Sequence, residues 1–302
     1  MHKSVLLEEC LEYLNLKDDS IIVDCTLGYG GHSSRILEKV KKGYLYSFDQ
    51  DSDAIESSRK RLNEIGTNYT IIKSNFVNIK DKLNKLGVNK VDGILYDLGV
   101  SSPQLDCDIR GFSFHKDARL DMRMNQEQEL SAYEVVNNYE EERLVNIIYK
   151  YGEEKFAKSI ARNIVKARPV NTTLELVEII KQSVPMKYKL DHHPARKTFQ
   201  AIRIEVNNEL EVFKNSLEQA LDLLNIGGRI CVITFHSLED KICKELFRQV
   251  STLKDELKNL PIVPDEYKPK YKVVKVLKPT DLEIIENKRA RSAKLRVIER
   301  IG

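Results

Sequence analysis

Short apolar runs alternate with amphipathic stretches along the first hundred residues of the chain. The runs are brief and rich in β-branched and aromatic residues, as buried strands are. Four of them are Ile21–Asp24, Tyr44–Phe48, Thr70–Lys73 and Val91–Tyr96. The stretches between them carry apolar residues at helical spacing. This alternation predicts βαβ units, and right-handed crossovers make the sheet a doubly wound α/β layer.

The pattern changes after Pro103. Residues 105–204 contain several stretches with helical spacing and no convincing strand, so we expect an all-helical insertion there. A long helix is predicted from Pro194, with one apolar stripe that continues to Leu224 and a stop at Gly227-Gly228.

The sheet resumes after this insertion at Arg229–Phe235. Tyr271–Leu277 and Leu295–Arg300 alternate like half-buried strands and predict an antiparallel edge. The predicted organisation is therefore one α/β domain in two parts, residues 1–104 and 205–302, interrupted by the helical insertion 105–204.

The composition is that of an ordinary globular protein, because 41% of the residues are hydrophobic and 31% are charged. No apolar run approaches the roughly 18 residues of a transmembrane helix. The N-terminus does not resemble a signal peptide, so we expect a cytoplasmic protein that does not engage a membrane. The 5 cysteines are scattered without a C-x-x-C pair, and we expect neither a disulfide framework nor a metal site.

Charge is unevenly distributed, although the formal net charge is only +3. From Lys268 to Gly302, 11 Lys or Arg residues stand against 4 Asp or Glu residues, so this segment is +7 and residues 1–267 are −4. The helical stretch Glu153–Arg168 also places four basic residues on one face. They are Lys155, Lys158, Arg162 and Lys166. Both features indicate a polyanionic partner, with ordinary solvated charge as the alternative.

Candidate ligand-binding residues stand where predicted strands end, because ligands of open α/β sheets bind at the carboxyl ends of the strands. The first strand ends at Asp24 and leads into a glycine-rich turn, Gly28 to Gly31. Gly28 and Gly30 match the start of a dinucleotide fingerprint, but Ser33 replaces its third glycine. A mononucleotide-like ligand without a pyrophosphate fits better than NAD or FAD, and a purely structural turn is the alternative.

The next strands add further candidates. Asp49 ends the second strand about twenty residues after the glycine turn, the position of a carboxylate that binds ribose hydroxyls. Phe76 follows the third strand, where it would meet an adenine or pack in the core. Asp97 ends the fourth strand, in a polar stretch that suits a polar substrate. The other polar members of this stretch are Ser101, Ser102 and Gln104.

Characteristic strings are distributed along nearly the whole chain. In chain order they are His2-Lys-Ser-Val-Leu-Leu-Glu8, Asp24-x-Thr-x-Gly-x-Gly-Gly-His32, Asp97-Leu-Gly-Val-Ser-Ser-Pro-Gln-Leu-Asp106, Arg110-Gly-Phe-Ser-Phe114, Leu120-Asp-Met-Arg-Met124, the segment 199–210, Gly227-Gly-Arg229, Phe235-His-Ser-Leu-Glu-Asp240 and the segment 289–296. Together they resemble the bacterial 16S ribosomal RNA cytosine-N4 methyltransferase family, RsmH or MraW.

The resemblance implies a Rossmann-like class I S-adenosylmethionine methyltransferase fold, with an inserted helical domain that recognises the substrate. S-adenosyl-L-methionine would be the cofactor. By position, its binding residues would be Asp24, Gly28, Gly30, Gly31, His32, Asp49, Phe76, Asp97 and Gln104. The implied reaction is N4 methylation of a decoding-region cytosine of 16S ribosomal RNA in the small subunit, position 1402 in conventional numbering. The chain would act as a monomer or homodimer.

Methyl transfer to a cytosine amine requires acceptors for its N–H groups, because the lone pair of this amine is delocalised into the ring. Asp97 and the neighbouring Ser101 and Ser102 are the candidates for this role. His236 ends the resumed strand and would contact the base or a phosphate, or it is a satisfied histidine at a strand end. The target base must leave its stack or be unpaired, and we expect the helical insertion to hold the RNA around it.

Two other classes of protein stay open at this point. An NAD-linked dehydrogenase would use the same kind of sheet, and the missing third glycine counts against it. A non-catalytic RNA-binding or ribosome-assembly module would retain a vestigial pocket, and the intact Asp24, Asp49 and Asp97 count against that.

Overall fold

The structure is a computed structural model that describes residues 4–106, 109–191, 193–253, 255–257 and 263–302, apart from the side chains of residues 102, 106, 190 and 191. The chain divides into two units. The first unit comprises Met1–Gly99 and Leu210–Gly302, and the second comprises Val100–Glu209. The predicted insertion, residues 105–204, lies inside the second unit, which extends beyond it at both ends.

The first part of the first unit follows the predicted alternation of strands and helices. Its elements are α1 (Leu7–Tyr13), β1 (Ile21–Asp24), α2 (Gly31–Lys39), β2 (Tyr44–Asp49), α3 (Ser52–Asn63), β3 (Tyr69–Lys73), α4 (Ile79–Lys85) and β4 (Val91–Asp97). The helix α3 begins at Ser52 because the carboxylate of Asp51 accepts the backbone N–H of Asp53 at 3.1 Å. A short 3-10 turn, Phe76–Asn78, precedes α4.

The second unit is helical in its described part. Its helices are α5 (Ser102–Asp106), α6 (Ala132–Asn138), α7 (Glu141–Gly152), α8 (Ala157–Ala167), α9 (Thr173–Gln182), α10 (Met186–Asp191) and α11 (Ala195–Asn207). Capping boxes at Ser131 and Thr172 begin α6 and α9, where each hydroxyl accepts a backbone N–H of the first turn. The helices share one apolar core, to which Leu144, Ile160 and Ile202 belong.

The chain then completes the first unit. The remaining elements are α12 (Glu209–Leu223), β5 (Leu224–Thr234), α13 (Ser237–Ser251), β6 (Tyr271–Leu277), α14 (Asp281–Glu286) and β7 (Lys294–Arg300). No helix among the described residues is both long enough and apolar enough to cross a membrane.

The prediction of one long helix from Pro194 is wrong. The helix is interrupted at Asn208, whose backbone adopts the left-handed conformation with φ +49°, and α12 ends at Leu223. The apolar stripe keeps its spacing through the break, so the periodicity does not reveal it. Gly227-Gly228 also does not stop a helix, because both glycines lie within β5, where Gly227 has φ +82°.

The strands form one seven-stranded sheet with the order β3-β2-β1-β4-β5-β7-β6. The strand β7 is antiparallel to both of its neighbours, and the other strand pairs in the sheet are parallel. Alternate residues of β4 enter different apolar clusters: Ile94 and Tyr96 belong to one and Leu95 to the other. The chain leaves β1 toward β2 and returns on its other side at β4, so the switch point of the sheet lies between β1 and β4.

Candidate functional site

The glycine loop after β1 is organised by Asp24. This carboxylate is fully buried, and it accepts the backbone N–H of Thr26 at 3.0 Å and the hydroxyl of Ser33 at 2.6 Å. Burial raises its pKa, although these two donors oppose the shift. Both carboxylate oxygens are therefore engaged by the loop and the first turn of α2. Asp24 was predicted to bind the cofactor. In the structure its hydrogen bonds hold the glycine loop in place, which is a positioning role.

Asp49, at the end of β2, is joined directly to the glycine loop. One of its carboxylate oxygens accepts the N–H of Gly28 at 2.8 Å and the other accepts the N–H of Asp51 at 2.9 Å. Burial raises the pKa of Asp49 to about 6. Each carboxylate oxygen has further lone pairs, so Asp49 can hold the loop and still accept hydrogen bonds from a ligand.

The loop itself depends on backbone conformations that favour glycine. Gly28 and Gly30 have φ +49° and +77°. A β-carbon at Gly31 would lie 1.9 Å from the hydroxyl oxygen of Ser4, so any other residue there would require the Ser4 side chain to move. The predicted turn after β1 is thus a tight loop whose peptide groups are held close to the strand ends.

Asp97, at the end of β4, is tied to the loop through its backbone. Its N–H donates to the hydroxyl of Thr26 at 2.7 Å. Its carboxyl is unusual, because Oδ1 is buried and has no hydrogen-bond partner among the described residues. Burial, reinforced by the negative charges of Asp24 and Glu239, raises the pKa of Asp97 to about 8. A buried polar atom without a partner is costly, and a bound ligand can supply the missing contact.

His32 stands beside Asp97 in the first turn of α2. Its side chain is only 5% exposed, its Nδ1 lies 3.5 Å from Oδ2 of Asp97, and its Nε2 lies 3.2 Å from the carbonyl oxygen of Val5. Burial lowers the pKa of His32 to about 4, so the imidazole is neutral near pH 7. Sequence analysis placed His32 in the glycine motif and did not detect its contacts with Val5 and Asp97.

Phe76 lies in the 3-10 turn after β3 and is half-buried. Its ring packs edge-on against Tyr96, with 5.7 Å between the ring centroids, and its carbonyl accepts the hydroxyl of Ser216 at 2.9 Å. Core packing thus accounts for one edge of the ring. The half-exposed ring also leaves the predicted adenine contact open.

His236 has a structural partner. It is the N-cap of α13 in a capping box with Glu239, and its Nε2 lies 3.1 Å from a carboxylate oxygen of Glu239. Glu239 is 2% exposed and also accepts the N–H of Phe235 at 2.7 Å. His236 therefore has a capping role in the fold, but its buried Nε2 makes no hydrogen bond to the described residues, so the predicted contact with the base or a phosphate stays a prediction. Glu239, which sequence analysis missed, instead acts on the site through its charge near Asp97.

The polar stretch after β4 belongs to the second unit. The side-chain oxygen of Gln104 accepts the N–H of Ser101 at 3.0 Å, and the hydroxyl of Ser101 accepts the N–H of Gln104 at 3.4 Å. These reciprocal bonds begin the short helix α5 in the manner of a capping box. The side chain of Ser102 lies outside the described part of the chain, as does His2 in the N-terminal string.

The basic residues are of two kinds. On α8, Lys158, Arg162 and Lys166 are exposed and Ile160, Ala161 and Ile164 are buried, so the predicted two-sided helix is confirmed for this span. Lys155 is also exposed, but it precedes α8, which begins at Ala157 and not at Glu153. In the C-terminal segment, Lys294 and Arg296 both bind Asp240, with nitrogen–oxygen distances of 2.7 Å. Asp240 therefore offsets one of their two positive charges within the fold, whereas Lys288 and Arg291 are exposed.

The first unit has the α/β fold of class I methyltransferases. Three features define this class here: the sheet order, the glycine loop after β1, and the carboxyl groups that end β1, β2 and β4. The site fits S-adenosylmethionine, since Asp49 offers acceptors for ribose hydroxyls and the buried Oδ1 of Asp97 has no hydrogen-bond partner among the described residues. We call the glycine loop with Asp24, Asp49 and Asp97 the strand-end site.

The chain belongs to the MraW methylase family, which matches residues 1–301. It is 52% identical over 306 residues to ribosomal RNA small subunit methyltransferase H of Exiguobacterium sibiricum, a match that covers 99% of this chain and 98% of the relative. The protein of the same name from Mycoplasma mycoides subsp. mycoides is 54% identical over 305 residues and covers 99% of both chains.

Solved structures are more distant. A ribosomal RNA methylase from Streptococcus thermophilus covers 100% of this chain and 99% of its own, at 12% identity and a TM-score of 0.47, which is too remote to support an argument. The family membership confirms the resemblance seen in the sequence and the predicted fold class, and the cofactor of this methyltransferase is S-adenosylmethionine. The dehydrogenase alternative is thereby excluded.

Proposed function

We propose that this protein methylates N4 of a decoding-region cytosine in 16S ribosomal RNA of the small subunit, position 1402 in conventional numbering. Support comes from the two relatives named as small-subunit ribosomal RNA methyltransferases, which align with 99% of the chain. The observation in this chain that carries the proposal is the partly exposed carboxyl of Asp97 at the switch point of the sheet, whose buried Oδ1 has no partner among the described residues.

The reaction is an in-line displacement. When bound, S-adenosylmethionine supplies the electrophilic methyl carbon. The bond between N4 and this carbon forms as the bond between the carbon and sulfur breaks, and one proton leaves N4. The protein therefore has to orient the amine and accept its N–H, because positioning accounts for much of the rate in such a transfer.

Asp97 is the group that accepts the N–H of the amine in this proposal. A hydrogen bond from N4 to a carboxyl oxygen localises the amine lone pair, which otherwise delocalises into the cytosine ring. The positive charge of the bound cofactor favours the ionised form of Asp97, which can then take the proton that leaves N4. Ser101 and Ser102 follow Asp97 closely in the chain and are the second candidates for contact with the base.

The remaining residues of the strand-end site bind the cofactor. Asp49 accepts the ribose hydroxyls, and the glycine loop allows close approach of the peptide backbone at Gly28, Gly30 and Gly31. Phe76 covers the adenine with its half-exposed face. Gln104 completes the site, and Asp24 and His32 position the loop and Asp97.

The second unit recognises the RNA in this proposal. The exposed basic face of α8 suits phosphate contacts, which position a nucleic acid without reading its sequence. The cytosine has to be unpaired or flipped out of its stack to reach the methyl group. Action on ribosomal subunits, by a monomer or a homodimer, places the proposed activity in the cytoplasm.

The decisive experiment uses small subunits from cells that lack this activity. The subunits are incubated with the protein and methyl-labelled cofactor, and the ribosomal RNA is digested for nucleoside mass spectrometry. We expect one labelled N4-methylcytidine per subunit. Label on a ring carbon, on a ribose oxygen or on ribosomal protein would refute the reaction. Binding of subunits without any transfer would favour the non-catalytic RNA-binding module instead.

A further inference from the structure

The N-terminal segment Ser4–Leu6 covers the glycine loop. The hydroxyl oxygen of Ser4 lies over Gly31, and the carbonyl oxygen of Val5 is 3.2 Å from Nε2 of His32. The backbone N–H of Leu6 donates to the carboxylate of Glu283 at 2.7 Å. One short segment thus connects the strand-end site to α14, although 277 residues separate Leu6 from Glu283.

The contact with Val5 fixes the tautomer of His32. A backbone carbonyl only accepts hydrogen bonds, so Nε2 of His32 carries the hydrogen. Because the buried imidazole is neutral, Nδ1 then presents a lone pair. This lone pair lies 3.5 Å from Oδ2 of Asp97.

The protonation of Asp97 matches this tautomer. Burial and the charges of Asp24 and Glu239 raise the pKa of Asp97 to about 8, so its carboxyl carries a proton near pH 7. A protonated oxygen is a donor, and Nδ1 of His32 is the acceptor beside it. In the free protein, an ionised Asp97 would turn a lone pair toward that of Nδ1, so the Nε2–H tautomer favours the protonated carboxyl until the positive charge of a bound cofactor ionises it.

We propose that the N-terminal segment Ser4–Leu6 positions Asp97 for methyl transfer through the imidazole of His32, and that Glu283 holds this segment in place. The proposal rests on the proposed function, in which Asp97 contacts the reacting amine. His32 and Glu283 are positioning residues here, because each acts through another group.

Glu283 is needed because Leu6 has a conformation that leucine rarely adopts. Leu6 is fully buried, and its φ of +51° is in the left-handed region. It begins α1 without a side-chain cap, so the carboxylate of Glu283 is the acceptor that satisfies its N–H. Without this acceptor, the segment can relax and withdraw the carbonyl of Val5 from His32.

The groups that face Asp97 come from four elements: Asp24 ends β1, His32 lies on α2, Glu239 lies on α13 and Cys10 lies on α1. Burial raises the pKa of the Cys10 thiol well above its ordinary value, so this thiol stays neutral. Loosening the segment admits water to Asp97 and lowers the pKa of its carboxyl toward the ordinary value. The acid limb of the pH–rate profile should move in the same direction.

The experiment compares Glu283→Ala with Glu283→Gln in the full-length protein. The glutamine side chain retains an oxygen that can accept the N–H of Leu6, so it is the conservative control. Glu286→Ala, an exposed carboxylate on the same helix, is the matched control for loss of charge. Nitrogen-15 spectra of labelled histidine report the tautomer of His32, with the signals assigned from His32→Gln. Single-turnover methylation of small subunits across pH reports the transfer rate.

We expect a neutral Nε2–H tautomer for His32 in the wild type and in Glu283→Gln, and a mixture of tautomers in Glu283→Ala. The transfer rate of Glu283→Ala should fall roughly tenfold, because misplacement of a reacting group is costly. Its acid limb should move to lower pH, and Glu286→Ala should behave like the wild type. An unchanged tautomer and pH profile in Glu283→Ala, with or without a lower Tm, would overturn the proposal.

A second pair of variants tests the same idea if Glu283→Ala does not fold. His32→Asn places an oxygen near the position of Nδ1 and keeps an acceptor for Asp97, whereas His32→Gln keeps a donor for Val5 and loses that acceptor. We expect His32→Asn to retain more of the transfer rate and the wild-type acid limb. Equal losses in both variants would overturn the inference. A wild-type protein that transfers no methyl group to subunits would refute the proposed function, and this inference with it, even with the His32 tautomer intact.

Discussion

Two carboxyl groups, one in each unit, have opposite surroundings. Glu154 of the second unit is fully buried, and it accepts the N–H of Phe156 at 2.9 Å and the hydroxyl of Tyr188 at 2.5 Å. Asp97 of the first unit lies at a strand end beside Asp24 and Glu239, and its Oδ1 has no partner in the described part of the chain. The hydrogen bonds of Glu154 stabilise the second unit. At Asp97, the buried Oδ1 lacks a donor that a bound ligand can supply.

The largest expected effect is on the methylation rate, when the carboxyl groups of Asp97 and Glu154 are replaced in turn by amides. Asp97→Asn cannot accept the proton from N4, so single-turnover methylation should fall at least about 100-fold, while Tm is kept or raised. Glu154→Gln should lower the free energy of unfolding by about 1–3 kcal/mol, because it disturbs a satisfied buried acceptor, and should leave the transfer rate near the wild-type value. Rates that fall equally in the two variants would remove the distinction between the units.

The second prediction concerns the cofactor. Asp49→Ala removes the acceptors for the ribose hydroxyls and the bond to Gly28, so calorimetry should show S-adenosylmethionine binding weakened by about 1–3 kcal/mol. Asp49→Asn, which keeps one carboxamide oxygen, should lose less. RNA affinity should not change in either variant. Wild-type cofactor affinity in Asp49→Ala would place the ribose elsewhere.

The third prediction addresses the outward charges of the second unit. Replacing Lys155, Lys158, Arg162 and Lys166 together by Gln should weaken subunit binding by roughly tenfold and reduce the salt dependence by about one unit of slope for each phosphate that is no longer bound. The matched control replaces four exposed lysines of the first unit, Lys39, Lys41, Lys60 and Lys85. A salt titration of binding compares the two variants, and cofactor calorimetry should find both unchanged. If the two variants show the same salt dependence of binding, the four basic residues are ordinary solvated charges and do not contact phosphates.

The last prediction concerns stability rather than activity. The folded state holds a proton on Asp97 up to about pH 8, whereas the unfolded chain releases it near the ordinary value of 3.8, so Asp97 lowers the free energy of unfolding as pH rises between these values. Asp97→Asn abolishes this loss. Its Tm should therefore rise relative to the wild type from pH 5 to pH 8, by about 2–4 °C per kcal/mol recovered. A Tm difference that is constant with pH would contradict the raised pKa.

The strand ends could be located from the sequence because their signals are local. An apolar run that stops at an acid identifies β1, β2 and β4, and glycines mark the turn after β1. The predicted bounds of β1 and β6 agree with the structure. These features depend on residues that are neighbours in the chain, which periodicity can detect.

The supports of the site could not be predicted, because they join distant parts of the chain. Nothing near Val5 indicates that its carbonyl meets His32, and nothing near Lys294 indicates that Asp240 compensates its charge. The break at Asn208 escaped for a related reason: the helices on either side bury residues at the same spacing. Tertiary contacts decide these points, and hydrophobic spacing is insensitive to them.

The insertion between β4 and β5 has a consequence for synthesis of the chain. Ile94 pairs with Ile230 and Asp97 with Ile233, so the strand that presents Asp97 has an open edge until the polypeptide is more than two-thirds made. The helices of the second unit share a core built within residues 112–206, all of which precede β5, so this core can form meanwhile, whereas pairing across such a long loop is slow. We therefore expect the nascent chain to acquire its helical unit before β4, with Asp97 at its end, is paired with β5.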